Sequence, residues 1–271
     1  MAKVYAIAMQ KGGVAKTTGC IHIAAALARR GLRVLLIDMD PQASLSTYFL
    51  KLLKKQLAAE QFQKIMQSTM YNLLVEGKII EPVQLGRNTF LLPASLDLQA
   101  AELVFPVLPT TREKPNLVLA KYLSHYLQAF TIDVCLIDCG PSLGLLTKNA
   151  LAVADGGVII PVATEEMAFE VFPKMLETVQ DVRTDEQHGS YAGLQVFRII
   201  PTLYDGRISE DGEFLKQIQE YPGYQHLVYP EPMHRRAKYK RAVKQGVDAG
   251  YLDKEVAAYW DRFVETTQMA A

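Results

Sequence analysis

Two lysines, two adjacent glycines and two threonines stand within eight residues, in the segment QKGGVAKTT at 10–18. Side chains of these types at this spacing suit the binding of a phosphate chain. Gly12 and Gly13 allow a tight backbone turn, Lys16 can reach the outer phosphates, and Thr17 offers a hydroxyl to a Mg²⁺ ion. The ordinary phosphate loop, G-x-x-x-x-G-K-[ST], would place glycines at 10 and 15, where this chain has Gln10 and Ala15. Alanine is expected to be tolerated at 15 if the backbone there is already near helical, with no positive φ required. The segment follows an apolar run ending at Met9 and precedes a helical pattern starting near Lys16, so its N–H groups and the helix N-terminus converge on an anion.

The elements that must hold this loop are legible as short apolar runs at 4–9, 34–38, 133–138, 157–162 and 195–201, with a weaker one at 226–230. Apolar runs of this length read as buried parallel strands, and the longer stretches between them carry apolar residues at helical spacing. Such alternation predicts a doubly wound α/β fold, a mostly parallel sheet with helices on both faces and its ligand site at the carboxyl ends of the strands. The segment from 45 to about 121 is less regular; it reads as helices, including the stretch 50–66, and one further strand at FLLPAS, 90–95. No linker composition or internal repeat divides the 271 residues, so a single domain, 1–271, is expected.

Composition narrows the function classes. The chain is 49% apolar and 21% charged with a formal net charge of zero, so any surface for a polyanion must be a local patch. The three cysteines, Cys20, Cys135 and Cys139, show no zinc spacing, and an odd count argues against a disulfide framework. Cys135 and Cys139 would lie roughly 13 Å apart on a strand, too far to share a metal, which leaves buried small hydrophobes in a reducing cytoplasm as the expectation. With no apolar leader and no long apolar window, neither secretion nor a membrane span is expected.

Three motifs together resemble a known family. The pattern K-G-G-x-x-K-[ST]-T at 11–18 is followed by D-x-D-P-Q at 38–42 and by LIDCGPSLG at 136–144. This set is similar to the deviant Walker A ATPases, and among them to the ParA/Soj partition ATPases. The stretches FLLPASLDLQAAE at 90–102 and PTLYDGR at 201–207 also resemble that family, and the likeness weakens beyond 207. The resemblance implies that Lys11, Gly12, Gly13, Val14, Ala15, Lys16, Thr17 and Thr18 bind ATP. It implies that Lys11 reaches the nucleotide of a second copy, making ATP the bridge of a homodimer. Asp40 would be the residue that positions or activates the attacking water. Asp138, with Thr17, would hold Mg²⁺ through water, and Asp38 would support that shell. The alternative for such strand-end aspartates is that they cap turns. The motifs contain no in-cis arginine finger, so slow hydrolysis is expected, stimulated by a ParB-type centromere-binding partner. Two departures from the family pattern, Ala15 for glycine and Gly140 for proline, bear on rate and switch geometry.

A basic run at 233–246 carries Arg235, Arg236, Lys238, Lys240, Arg241 and Lys244 with no acidic residue. Six positive groups suit sequence-independent, salt-sensitive contact with DNA, as the resemblance implies for a nucleoid-associated ATP dimer; the alternative is a solvated helix face. Relatives of the MinD type bind membranes through a basic amphipathic C-terminal helix. Here the tail YWDRFVETTQMAA has one arginine and two acids and reads as a packing helix, so no membrane partner is expected. The absence of a long segment before the first strand likewise leaves no expectation of a helix-turn-helix domain. The cargo stays open between a plasmid or chromosome and a protein assembly such as a carboxysome or chemotaxis cluster.

Overall fold

The computed structural model describes residues 2–54, 57–108, 114–245 and 249–269. Among these residues, seven strands form one sheet: β1 (Lys3–Ile7), β2 (Val34–Met39), β3 (Val83–Gln84), β4 (Thr89–Leu92), β5 (Val134–Cys139), β6 (Gly157–Ala163) and β7 (Val196–Thr202). Their order is β3-β4-β2-β5-β1-β6-β7, and every pairing is parallel except that of the edge strand β3 with β4. The central strands β1, β2 and β5 have almost no exposed residue, which is why they read as unbroken apolar runs rather than alternating ones.

Twelve helices accompany the sheet among the described residues. The first six are α1 (Lys16–Arg29), α2 (Ser44–Leu53), α3 (Ala59–Met66), α4 (Met70–Leu74), α5 (Ala101–Val104) and α6 (Ala120–Ala129). The remainder are α7 (Leu145–Ala152), α8 (Glu166–Thr184), α9 (Ser209–Gln219), α10 (Ala237–Gln245), α11 (Ala249–Leu252) and α12 (Lys254–Thr267). Side chains alternate across the strands, so Val4, Ala6, Cys135 and Ile137 pack with α4 to α9, while Tyr5, Ile7, Val134 and Leu136 pack with α1, α2, α10 and α12. Helices therefore cover both faces, as the alternating pattern predicted.

Two sequence readings need correction. The weak run at 226–230 forms no regular strand; a 3₁₀ turn over Gln225–Leu227 leads to a lone bridge between Val228 and Ile199. After Ile199 the next β7 residue facing this segment is Pro201, which has no N–H to donate, so the ladder does not continue past a single bridge. The stretch 50–66 is not one helix but the end of α2 and the whole of α3, with 55 and 56 outside the described residues. The expected strand at FLLPAS is present as β4, and the short β3 that pairs with it was not foreseen.

All three cysteines are buried, and Trp260 and Phe263 of α12 pack in the apolar layer around α1. Among the described residues, no helix is long and apolar enough to cross a membrane.

Candidate nucleotide site

The loop at 10–15 joins the end of β1 to the start of α1 at the carboxyl edge of the sheet. Its shape departs from the sequence expectation at Ala15, which sits at φ 72° and ψ 25°, in the left-handed region. Glycine would be unstrained there; an alanine costs about 1–2 kcal/mol. The chain must turn sharply twice, at Gly13 (φ 79°) and at Ala15, so that the first N–H groups of α1 face the same space. Surrounding bonds hold that shape: the Thr202 hydroxyl of β7 donates to the Val14 carbonyl at 3.0 Å, and Gly19 N–H donates to the Ala15 carbonyl at 2.8 Å. Leu203 and Ala43 also have positive φ, and with Ala15 they ring this edge of the sheet.

Lys16 is buried, and its Nζ donates to the carbonyls of Met9 at 3.1 Å and Lys11 at 2.8 Å. Burial lowers its pKa, opposed by the nearby Asp138 and Asp40. The ammonium is thus folded onto the loop's own oxygens. Lys11 Nζ instead forms an ion pair with Glu165 Oε1 at 2.7 Å, just before α8. Sequence reasoning missed Glu165, because nothing in its spacing to 11 marks it as a partner across the sheet edge.

The three aspartates separate by environment. Asp138 is fully buried at the end of β5, and its Oδ2 accepts the Thr17 hydroxyl at 2.7 Å. Its other oxygen, Oδ1, is buried with no hydrogen-bond partner among the described residues. Burial, with the charge of Asp38 adding, pushes its carboxyl well above the usual range. A buried carboxylate oxygen left open beside a threonine hydroxyl and a phosphate loop fits a hydrated divalent cation. Asp38 has both oxygens committed: Oδ2 accepts the N–H and the hydroxyl of Ser46 at 2.8 and 2.7 Å, and Oδ1 accepts Asp40 N–H at 3.1 Å. Burial raises its pKa to about 6 against those bonds. Asp40 Oδ1 accepts Gln42 N–H at 2.9 Å, and Asp40 lines the open space above the loop.

That space is a cavity of about 590 Å³. Gly12, Gly13, Ala15, Lys16, Thr17 and Thr18 form one wall with Asp40, while Leu203, Met233, Arg235, Arg236, Tyr239 and Lys240 form another. A larger apolar hollow of about 890 Å³ runs along the outer side of α1 and shares Ile21 and Tyr48 with it, but none of residues 12–18 lines it.

Comparison with known proteins agrees with this geometry. Residues 2–189 match a family model described as an AAA domain. A chromosome-partitioning ATPase Soj from Treponema pallidum is 35% identical over 262 residues, which cover 95% of this chain and 92% of that one. The chain belongs to the ParA/Soj family of partition ATPases. Among solved structures, a Mycobacterium smegmatis protein described as cobyrinic acid a,c-diamide synthase, with bound ATP analogue and magnesium, is 28% identical. Its TM-score is 0.73, with 99% of this chain and 96% of that one covered. A putative plasmid partition protein from Borrelia burgdorferi, bound to AMPPNP, shares the fold with a TM-score of 0.78 at 24% identity over 98% of each chain.

In this ParA/Soj chain the basic run does not act as one patch. Arg236 pairs with Glu255 at 2.7 Å and with Asp253 at 3.7 Å, and Lys238 Nζ donates to the Leu252 carbonyl at 3.2 Å. These two tie α10 to the helices that follow. Arg235, Lys240, Arg241 and Lys244 are exposed and have no ion pair among the described residues. Arg235 and Lys240 also border the nucleotide cavity, a placement invisible in a sequence where they lie more than 200 residues from the loop. Gly246, the end of the run, lies outside the described residues.

Proposed function

We propose that this chain is a partition ATPase whose Mg·ATP-bound dimer binds DNA without sequence preference and lets go after partner-stimulated hydrolysis. Residues 11–18 would bind the phosphates, with Lys16 exchanging its carbonyl partners for phosphate oxygens. Thr17 and Asp138 would hold Mg²⁺, which when bound neutralises phosphate charge. Asp38 would support that arrangement from behind by fixing Asp40 and the start of α2. Asp40, at the cavity wall, would orient the attacking water. Lys11 would leave Glu165 to reach the nucleotide of a second copy, so the dimer would depend on ATP. A ParB-type or adaptor partner would then set the slow turnover, and the protein would act in the cytoplasm on the nucleoid. The chain's family and the buried polar site support the ATPase core.

The observation that carries the DNA reading is the shared wall of the cavity. Arg235 and Lys240 stand at the rim of the space that holds the phosphate loop, so nucleotide state and the basic surface are physically adjacent. The test is fluorescence anisotropy of a labelled duplex of arbitrary sequence, titrated in Mg·ATP, Mg·ADP and no nucleotide at two salt concentrations. Binding that needs ATP and weakens steeply with salt is expected. Equal binding in all three states, or none at low salt with ATP bound, refutes it. The burial of Trp260 and Phe263 removes the aromatic face that a membrane-bound reading would use.

A further inference from the structure

We propose that Glu102 is a positioning residue for hydrolysis, holding the loop at 140–144 against the Asp40 carboxylate. This rests on the ATPase reading above and adds a residue to it. Helix α7 begins directly after LIDCGPSLG, and its N-cap is Gly144, which has no side chain to satisfy the first N–H groups. Glu102, on the short helix α5, does so from 43 positions away. Its Oε2 accepts Leu145 N–H at 2.7 Å and its Oε1 accepts Leu146 N–H at 3.1 Å. A carboxylate on two amides at a helix N-terminus is a charge-assisted contact favoured by the helix dipole.

Both ends of the loop are therefore anchored. One end is continuous with Asp138 and Cys139 on β5, and the other is held by Glu102. Between them Gly140 lies so near Asp40 that a Cβ there would stand 3.2 Å from Asp40 Oδ1. A shift of the loop changes the room around that carboxylate, and near-attack geometry is sensitive to misplacements of about 1 Å. Gly144 has a matching reason to be glycine. Its φ of −76° and ψ of −165° suit any residue, yet a Cβ would meet the Glu102 carboxylate oxygens at 2.5 and 2.6 Å. The glycine makes room for the carboxylate rather than for a backbone turn.

The experiment is steady-state ATP hydrolysis by the full chain and its Glu102→Gln, Glu102→Ala and Gly144→Ala variants, with the affinity for a fluorescent ATP analogue and Tm measured on each. Glutamine keeps an acceptor for one amide and alanine for neither. The expected order of kcat is Glu, then Gln, then Ala, with a fall of about tenfold for alanine and nucleotide affinity within about twofold. Gly144→Ala should lower kcat in the parent but have almost no further effect beside Glu102→Ala, because both act on one contact. An unchanged kcat in Glu102→Ala, or additive losses in the double variant, overturns the proposal while leaving the ATPase reading intact. Equal losses of kcat and affinity mark a merely structural role and overturn it too. Absence of hydrolysis in the unaltered protein overturns both.

Discussion

The phosphate loop and the basic helix α10 face each other across one cavity, yet they are built in opposite ways. The loop is local: strand, turn and helix are contiguous, and the groups proposed to bind phosphate are backbone N–H groups, a lysine and a threonine within eight residues. Lys16 is buried and Thr17 partly so, and their partners are carbonyls and a carboxylate. The basic helix is distributed, with charges that look alike in sequence divided between internal ties and solvent. The contrast teaches that a motif made of backbone geometry survives translation from sequence to structure. A motif made of charge count does not, because each charge goes wherever the tertiary structure offers a partner.

The largest expected effect is on the loop side. Replacing Lys16 by Ala should reduce ATP hydrolysis at least about a hundredfold, since transition-state charge loses its nearest cation. Tm of the nucleotide-free protein should move little, because that ammonium is bonded only to carbonyls and its burial is itself costly. Hydrolysis at a tenth of the parental rate or better would break the comparison by showing that the loop's backbone suffices.

On the helix side the effects should be smaller and divided. Changing Arg235, Lys240 and Lys244 together to Ala should reduce the salt dependence of DNA binding by about 0.9 in log–log slope for each phosphate that is no longer neutralised. Arg236→Ala should leave that slope nearly unchanged and cost no more than about 1 kcal/mol of stability, the range for partly exposed ion pairs. Identical salt slopes for the two variants would mean that the internal and outward charges are interchangeable.

The smallest effect should come from Ala15→Gly. Glycine removes the left-handed strain but gains freedom in the unfolded chain, so the two terms nearly cancel and stability should change by less than about 1 kcal/mol. A loss larger than that, measured by denaturant titration, would show that packing of the Ala15 methyl against its apolar neighbours outweighs the backbone cost.

Much of the fold was legible because buried parallel strands are written as apolar runs; β1, β2, β5, β6 and β7 all lie where those runs fall. The run at 226–230 misled for the same reason: it is apolar, yet Pro201 on β7 offers it no N–H and the ladder stops after a single bridge. The loop motif marked a turn between a strand and a helix, as the structure has it, but misjudged Ala15, since a type of residue says what backbone it prefers, not what its neighbours can impose. Glu165 carried no signal, and Glu102, though it closes the family-like stretch 90–102, gave none of its partner, as each meets its partner only across elements far apart in the chain.

By itself, the sequence determined the strand-loop-helix segment around 10–18, the five strands β1, β2, β5, β6 and β7 and the three strand-end aspartates, because these follow from contiguous periodicity and short-range stereochemistry. Only the tertiary structure decided that Asp38 is braced by Ser46 while Asp138 keeps an open oxygen, that Lys11 is held by Glu165, and that Glu102 anchors the loop beside Asp40. These join groups tens to more than a hundred positions apart, except the short Asp38–Ser46 link. Hydrogen bonds and ion pairs of that kind depend on which surfaces packing brings within about 3 Å, a condition that residue type and spacing alone do not encode.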